Sequence, residues 1–441
     1  MKKQNINFDS ILKKMNISSL NPMQEAVVNS GKKNDNLVLL SPTGSGKTLA
    51  FIFSFLERID PDLNAVQAMI LAPSRELALQ IESVLKQMGS GFKVNCFYGG
   101  HSFKVEKSSL INPPQVLIGT PGRITDHIER ETFDLSYIET LVIDEFDKAL
   151  EFGFQKEMKF IVKNLSSLKY RFLSSATQSD EIPAFMSKNN YEELNFLDAD
   201  QSNSKLSLKK VISEEKDKLS TLVDLLCDLN GESTLVFCNH REAVERTSNH
   251  LNKRGIISTY FHGGMEQQDR ERTLIKFRNG SSKILVTSDL ASRGLDIPEI
   301  KHIIHYHLPS SEDAFTHRNG RTARMKAEGS AYIILFREED QPDYIDASID
   351  TYYISKNLSF PEKPKWETIF IGKGKKDKVN KIDIVGFLSK QGELGREDLG
   401  LIEVKDFFSY AAISRDLVDA TLKKIKDRKI KNKKAKIEIA K

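Results

Sequence analysis

The residues with the plainest chemical purpose are Ser41 to Thr48, SPTGSGKT. An apolar run, Leu37-Val38-Leu39-Leu40, precedes them, and Leu49-Ala50-Phe51-Ile52-Phe53, able to begin a helix, follows. Strand, glycine turn and helix are the setting in which backbone N–H groups close around phosphates. Gly44 and Gly46 leave space where a Cβ would intrude. The helix directs its positive end at the anion. Lys47 then supplies a point charge for the β- and γ-phosphates, and Thr48 a hydroxyl for Mg²⁺. Ser41, Thr43 and Ser45 complete the candidate ATP loop. The usual pattern opens on Gly, where this chain has Ser41, and a glycine-rich turn alone is an ordinary loop. The apolar strand ahead of it favours the nucleotide reading.

Such a loop needs a frame, and the chain supplies one. Ala68–Ala72, Val94–Tyr98, Val116–Gly119, Leu141–Ile143 and Phe172–Ser174 are short apolar runs, most of them leading into helix-like stretches. That alternation predicts an α/β fold, a parallel sheet covered on both faces. Ligands bind at the carboxyl ends of such strands. Asp144 and Glu145 end one of them. Adjacent carboxylates in apolar surroundings are costly unless a cation or a task holds them. The economical assignment gives Asp144 to Mg²⁺, directly or through water, and Glu145 to an attacking water. Upstream, the Gln24 amide suits an adenine edge and Phe8 can stack on the base; by themselves they are a helix cap and a staple.

A polar stretch, Ala199 to Lys205, reads as a linker, and a second strand–helix alternation follows it. Thr234–Cys238, a strand before His262-Gly263-Gly264, Lys283–Val286 and His302–Tyr306 are its strands, with helices over Asn239–Asn252 and Gln267–Phe277. No second phosphate loop occurs there. Arg321 and Arg324 lie three apart, so a helix would bring them to one face.

The chain has 441 residues, 39% of them hydrophobic, which suits two or three domains. No run approaches the ~20 apolar residues of a membrane span, and MKKQNINFDSILKK lacks the apolar core of a secretory signal. Cys96, Cys227 and Cys238 are scattered, as expected of reduced, mostly buried thiols in a cytoplasmic protein. Residues 361–441 hold 21 Lys and Arg against 13 Asp and Glu, a net +8 beside +4 for the whole chain. A basic tail on a near-neutral body suggests a nucleic-acid anchor.

Asp144-Glu145-Phe146-Asp147, Ser175-Ala176-Thr177, Pro73-Ser74-Arg75-Glu76-Leu77 and Thr120-Pro121-Gly122-Arg123 together resemble the DEAD-box RNA helicase family. The resemblance implies two tandem RecA-like lobes, ATP with Mg²⁺, and single-stranded RNA. Domains are expected at 1–204, 205–362 and 363–441, the last a small α+β RNA-recognition-like module. Carried over by motif, the first-lobe RNA contacts are Pro73, Arg75, Gly99, Gly100, Thr120, Pro121 and Arg123. Gln267, Arg270, Ser288 and Arg293 serve RNA from the second lobe, and Asp296 meets ribose. Ser175, Thr177, Asp147 and His317 link the two sites. Arg321 and Arg324 act as arginine fingers on the γ-phosphate, a role that can be worth ~10³ or more in rate.

The tail predicts the order βαββαβ. It resembles the RNA-binding module of DbpA-type bacterial DEAD-box proteins, through Lys373–Lys378, Asp383–Gly386, Gly400–Val404 and Phe408–Tyr410. In such modules basic loops grip RNA, with Lys375, Lys376, Lys378, Arg415 and Lys429–Lys434 as the candidates here, the last group reading equally as a solubilising end. Gly372–Lys381 reads as a flexible basic segment, and Phe408 and Tyr410 stand evenly between core packing and base stacking. The expected activity is ATP-dependent RNA remodelling, with 23S rRNA or a large-subunit precursor as partner; DNA and membrane are not expected. The alternatives are a general RNA helicase and an ATP-gated clamp or annealing protein. A monomer is expected, because no coiled-coil heptads occur. Four positions depart from the family: Ser41 and Phe146 for Ala, Asn319 for Ile, and Ala323 for Gly.

Overall fold

The computed structural model describes residues 8–42, 44–100, 102–177, 182–183, 185–186, 191–197, 206–289, 300–322 and 329–441. The chain divides into two compact units, one of residues 1–204 with two short later segments, the other holding most of residues 205–441.

The first unit is built on seven parallel strands: β1 (Asn36–Leu40), β2 (Ala68–Leu71), β3 (Val94–Phe97), β4 (Val116–Gly119), β5 (Thr140–Ile143), β6 (Tyr170–Ser175) and β7 (Glu192–Asn195). Their order in the sheet is β3-β4-β2-β5-β6-β1-β7. Helices α1 (Phe8–Lys14) and α2 (Pro22–Gly31) precede the first strand, and α3 (Lys47–Leu56), α4 (Arg75–Met88), α5 (Phe103–Ser109), α6 (Pro121–Glu129), α7 (Phe146–Glu151) and α8 (Gln155–Asn164) run between the strands. The pleat sends alternate residues to opposite faces. Leu37 and Leu39 therefore join one core with Phe51, Phe53 and Phe55, while Val38 and Leu40 join another with Ile143 and Phe146. Helix ends follow their capping residues. Asn21 and Gln24 form a reciprocal capping box on α2 with Pro22 as its first residue, and the Ser74 hydroxyl caps α4.

The second unit repeats the plan with β8 (Leu206–Ser213), β9 (Thr234–Phe237), β10 (Ser258–Phe261), β11 (Ile284–Thr287), β12 (His302–His305), β13 (Gly329–Phe336) and β14 (Asp350–Thr351), in the order β10-β11-β9-β12-β13-β8-β14. Among its helices are α9 (Leu219–Asp228), α10 (Arg241–Lys253) and α11 (Gln267–Arg278). Strands β7, β8, β13 and β14 lie outside the sequence reading. LSLKKVIS of β8 looks too polar for a parallel strand, yet it pairs with β13 along eight residues. Among the described residues no helix is long and apolar enough to cross a membrane.

The tail contributes β15 (Trp366–Ile371), β16 (Leu399–Val404), β17 (Ser409–Ser414), a small hairpin of β18 (Lys429–Ile430) and β19 (Lys433–Lys434), and β20 (Ile437–Ile439). Helices Lys381–Gln391 and Val418–Ile425 cover one face of the sheet β16-β17-β15-β20, all antiparallel. The expected βαββαβ order holds, with the hairpin inserted before the last strand.

Candidate functional site

Strand order brings the candidate ATP groups together. β6 lies between β1 and β5, so the loop after β1, the Ser-Ala-Thr turn after β6 and the acidic pair after β5 are neighbours. The Ser41 N–H donates to the Ser175 carbonyl at 3.0 Å, extending the β1–β6 ladder into the loop. Gly44 and Gly46 have φ of +88° and +92°, a region L side chains avoid. A Cβ on Gly46 would also stand 2.5 Å from Gln24 Nε2. That amide donates to the Gly46 carbonyl at 3.3 Å, and Asn21 Nδ2 donates to the Ser45 carbonyl at 3.0 Å. Gln24 is thus both the helix cap and a strut of the loop. Ser41 and Ser45 share a hydroxyl bond of 2.7 Å. Lys47 is buried, its Nζ 2.7 Å from the Ser41 carbonyl and 3.4 Å from that of Ser175. Thr48 stands in the first turn of α3. Phe8 packs edge-on against Phe53 at 4.7 Å, so at least part of its ring serves the core. Thr43 lies outside the described residues.

Asp144 is buried, and burial pushes its carboxyl up; the Ser174 hydroxyl bond, the Lys47 charge and the Glu145 N–H oppose the shift. Glu145 takes a left-handed backbone, φ +49° and ψ +52°, a strained region for a residue with a side chain. Its N–H donates to Asp144 Oδ1 at 3.1 Å and Ser174 Oγ at 3.2 Å, which holds the turn. Phe146 is buried, in one apolar cluster with Leu141, Ile143 and Ala149. Asp147 Oδ2 accepts from Thr177 Oγ1 at 2.9 Å, and the Ser175 hydroxyl donates to the Thr177 carbonyl at 2.6 Å. A polar chain therefore runs Lys47–Ser175–Thr177–Asp147.

The other half of the sheet, β2-β4-β3, gathers the residues read for RNA. The Ala72 N–H donates to the Gly119 carbonyl at 3.0 Å and the Thr120 N–H to Phe97 at 3.1 Å, so the loops after the three strands lie side by side. Pro73 and Arg75 flank the Ser74 cap; a Cβ on Gly99 would meet Arg75 Nη2 at 3.2 Å, and Gly100 has φ +92°. Thr120 and Pro121 open α6. Arg123 is held by Glu106 at 2.7 Å and Asp126 at 3.1 Å. Glu106 and His127 escape the sequence reading. His127 is fully buried, stacked between Phe97 and Phe103 at 4.6 and 4.5 Å, and meets Glu106 Oε2 at 3.0 Å. Neither residue belongs to a motif, so no spacing announces them.

In the second unit Gln267 begins α11, Arg270 is buried beside the Phe261 ring, and Ser288 follows β11. His317 sits on the Glu312–Asn319 helix and is buried. That helix ends at Asn319, with Gly320 at its cap. Arg321, also buried, lies beyond the end of that helix. Arg324, Arg293, Asp296 and Ala323 lie outside the described residues. Arg318, unassigned by sequence, is 1% exposed and bonds Asp289 Oδ2 at 2.7 Å, the His307 carbonyl at 2.6 Å and Asn239 Oδ1 at 2.8 Å. Asn319 has a reason of its own: its Oδ1 accepts from His305 Nε2 at 2.9 Å. His305 is fully buried, and burial with the nearby Arg318 charge lowers it to about 3.

The tail corrects one expectation and gives structural context to two others. Gly372–Lys381 is ordered: Lys375–Asp377 forms a 3-10 turn whose Lys375 and Lys376 N–H groups donate to the carbonyls of Lys405 and Asp406, each at 2.8 Å. Lys375, Lys376 and Lys378 remain exposed around it. Arg415, read as an RNA contact, is engaged within the protein. Its guanidinium is spent on the Glu367 carboxylate and the carbonyls of Pro364 at 2.8 Å, Trp366 at 2.6 Å and Ser281 at 2.9 Å. The tail aromatics pack instead of presenting a platform. Tyr410 is 4% exposed in a cluster with Ile275 of α11 and Ala440, beside Phe370 and Phe408. Burial raises the Tyr410 hydroxyl to about 12. Asn279 and Ser281 both bond the buried Thr368 hydroxyl, at 2.8 and 2.7 Å, and Arg278 pairs with Glu403 at 3.0 Å.

Comparison with known proteins agrees along the chain. Residues 21–185 match the DEAD/DEAH box helicase family, 217–326 the helicase conserved C-terminal domain and 368–439 the DbpA RNA binding domain. The ATP-dependent RNA helicase DbpA of Bacillus subtilis is 31% identical over 95% of this chain and 94% of its own length. The protein of that name from Escherichia coli is 30% identical over 98% and 96%. A solved structure of S. cerevisiae Dbp5 bound to RNA and ADP BeF3 superposes with a TM-score of 0.67, at 28% identity over 75% of this chain and 88% of that one. The chain belongs to the DEAD-box ATP-dependent RNA helicases, with a DbpA-type RNA-binding domain following its two RecA-like lobes.

Proposed function

We propose that this RNA-dependent ATPase remodels structured RNA of the large ribosomal subunit, with the tail selecting the target. The observation that carries the ATPase assignment is the buried cluster of Lys47, Asp144 and Glu145 beside the Ser175–Thr177–Asp147 chain. In this reading the Ser41–Thr48 loop cradles the ATP phosphates, and Lys47 turns its charge to them. Glu145, fixed by its strained turn, orients and deprotonates the attacking water. Arg321 and Arg324 stabilise charge on the γ-phosphate. Ser175, Thr177, Asp147 and His317 pass the state of the ATP site to the RNA loops. Lobe closure on RNA bends one strand away from a duplex geometry, and phosphate loss releases it.

A divalent cation fits the residues present. Asp144 is a buried carboxyl whose ionised form is disfavoured by burial, and an adjacent dication reverses that preference. Among the described residues no cluster of three or more metal-ligating His, Cys, Asp or Glu side chains occurs, so Thr48 and Asp144 would hold Mg²⁺ together with the nucleotide's own oxygens. When bound, Mg²⁺ neutralises charge on the transferring phosphoryl group.

The rRNA target rests on the tail's match to the DbpA RNA binding domain. The test is steady-state ATP turnover with no RNA, unstructured RNA, or a large-subunit rRNA fragment carrying the peptidyl-transferase-centre helices. Stimulation by the fragment well above unstructured RNA is expected. Equal stimulation by both leaves a general RNA helicase with an unselective tail.

A further inference from the structure

The tail's aromatic sheet face packs on α11, with Tyr410 buried against Ile275 and Phe370 and Phe408 half-buried beside it. One aromatic of the same stretch escapes that packing. Phe407, in the turn between β16 and β17, is 66% exposed, its ring open to solvent. The turn is fastened to the basic 3-10 turn, because Lys405 and Asp406 carbonyls accept the Lys375 and Lys376 N–H groups. Exposed lysines 375, 376 and 378 therefore lie around the Phe407 turn. The acidic groups of this rim are largely answered. Asp377 pairs with Lys373 at 3.1 Å and Lys433 at 3.3 Å, and Glu403 with Arg278 at 3.0 Å and Lys405 at 3.2 Å. Asp406 is the exposed exception.

We infer that Phe407 is a base-stacking residue, a site for one unpaired nucleobase whose flanking phosphates are met by Lys375, Lys376 and Lys378. An exposed ring bordered by cations is how single-stranded nucleic acid is held without hydrogen-bond readout. The inference rests on the tail being an RNA-binding module and names the contact by which it holds a base.

The test uses the full chain without nucleotide and a short fluorescein-labelled single-stranded RNA. Phe407→Ala is expected to weaken binding about fivefold or more, the value of one base–aromatic stack, while Phe407→Tyr retains it. Phe407→Trp adds an emitter to the single native Trp366, and its added emission is quenched on RNA binding. A Lys375→Gln/Lys376→Gln variant weakens binding and flattens its salt dependence. If Phe407→Ala binds as wild type and Phe407→Trp is not quenched, while the lysine variant is weakened, Phe407 is no base site and the tail still binds RNA. If none of these variants alters binding, the RNA reading of this tail face falls as well.

Discussion

Replacing Arg415 with Ala tests the largest revision of the sequence reading. The guanidinium meets one carboxylate and three carbonyls, one of them on the turn after α11. Arg415 and Glu367 side chains are 18% and 16% exposed. Breaking a fully buried pair costs about 3–5 kcal/mol, and partial exposure reduces that to about 2–3 kcal/mol here. The docked form of the tail should therefore lose a factor of about 30 to 150 relative to the undocked form. Trp366 reports the event: it is the only Trp, and a Cβ on Gly280 of the second lobe would stand 3.4 Å from its ring. Urea titration followed by Trp366 emission should show undocking of Arg415→Ala at lower urea, ahead of unfolding of the lobes. Arg415→Lys should recover only part, since an ammonium lacks the planar fork. A cycle with Glu367→Ala isolates the pair. A transition in Arg415→Ala coincident with wild type would refute the clamp and return Arg415 to the list of RNA contacts.

Three further outcomes are expected. Lys47→Ala abolishes ATP turnover; a wild-type rate in that variant would remove the phosphate-loop assignment. Thr177→Val deletes the 2.9 Å bond to Asp147, worth about 1–1.5 kcal/mol. The ratio of RNA-stimulated to basal ATPase should then fall about tenfold, and an unchanged ratio would exclude this chain as the coupling route. His305, lowered to about 3 from an ordinary 6.5, stays neutral in the fold while the unfolded chain protonates. Its contribution to stability is intact above about pH 6.5 and is lost as pH falls toward 3, by about 2 kcal/mol between pH 7 and 5. His305→Leu/Asn319→Ile should flatten the urea midpoint against pH by that amount, and an identical slope would count against the buried neutral imidazole.

The parts legible from sequence are those dictated by local rules. Gly44 and Gly46, an apolar strand before them and Lys47 after them specify a phosphate loop without help from distant residues. The Asp144-Glu145 pair was readable because carboxylates at the end of an apolar strand need a reason. What stayed hidden depends on partners far along the chain. Spacing put Arg321 on a helix, but the helix stops at Asn319. Arg318 looks like any motif arginine until Asp289 and Asn239 fold around it. Arg415 reads as a basic tail residue, because nothing near it in sequence announces Ser281. The polarity of β8 concealed a strand that only its pairing with β13 explains.

The contact between α11 and the tail sheet bears on how such a protein can be cut and inherited. Removing residues 363–441 would strip Tyr410 from Ile275 and leave Asn279 and Ser281 without the Thr368 hydroxyl. Truncation would therefore injure the remaining lobe as well as delete the tail, and loss of activity in the shortened protein would be ambiguous. The same contact constrains descent. A tail of this kind grafted onto another helicase core would land on a foreign helix, so substitutions at 275–281 and at Thr368, Glu403, Tyr410 and Arg415 must be accepted as a set.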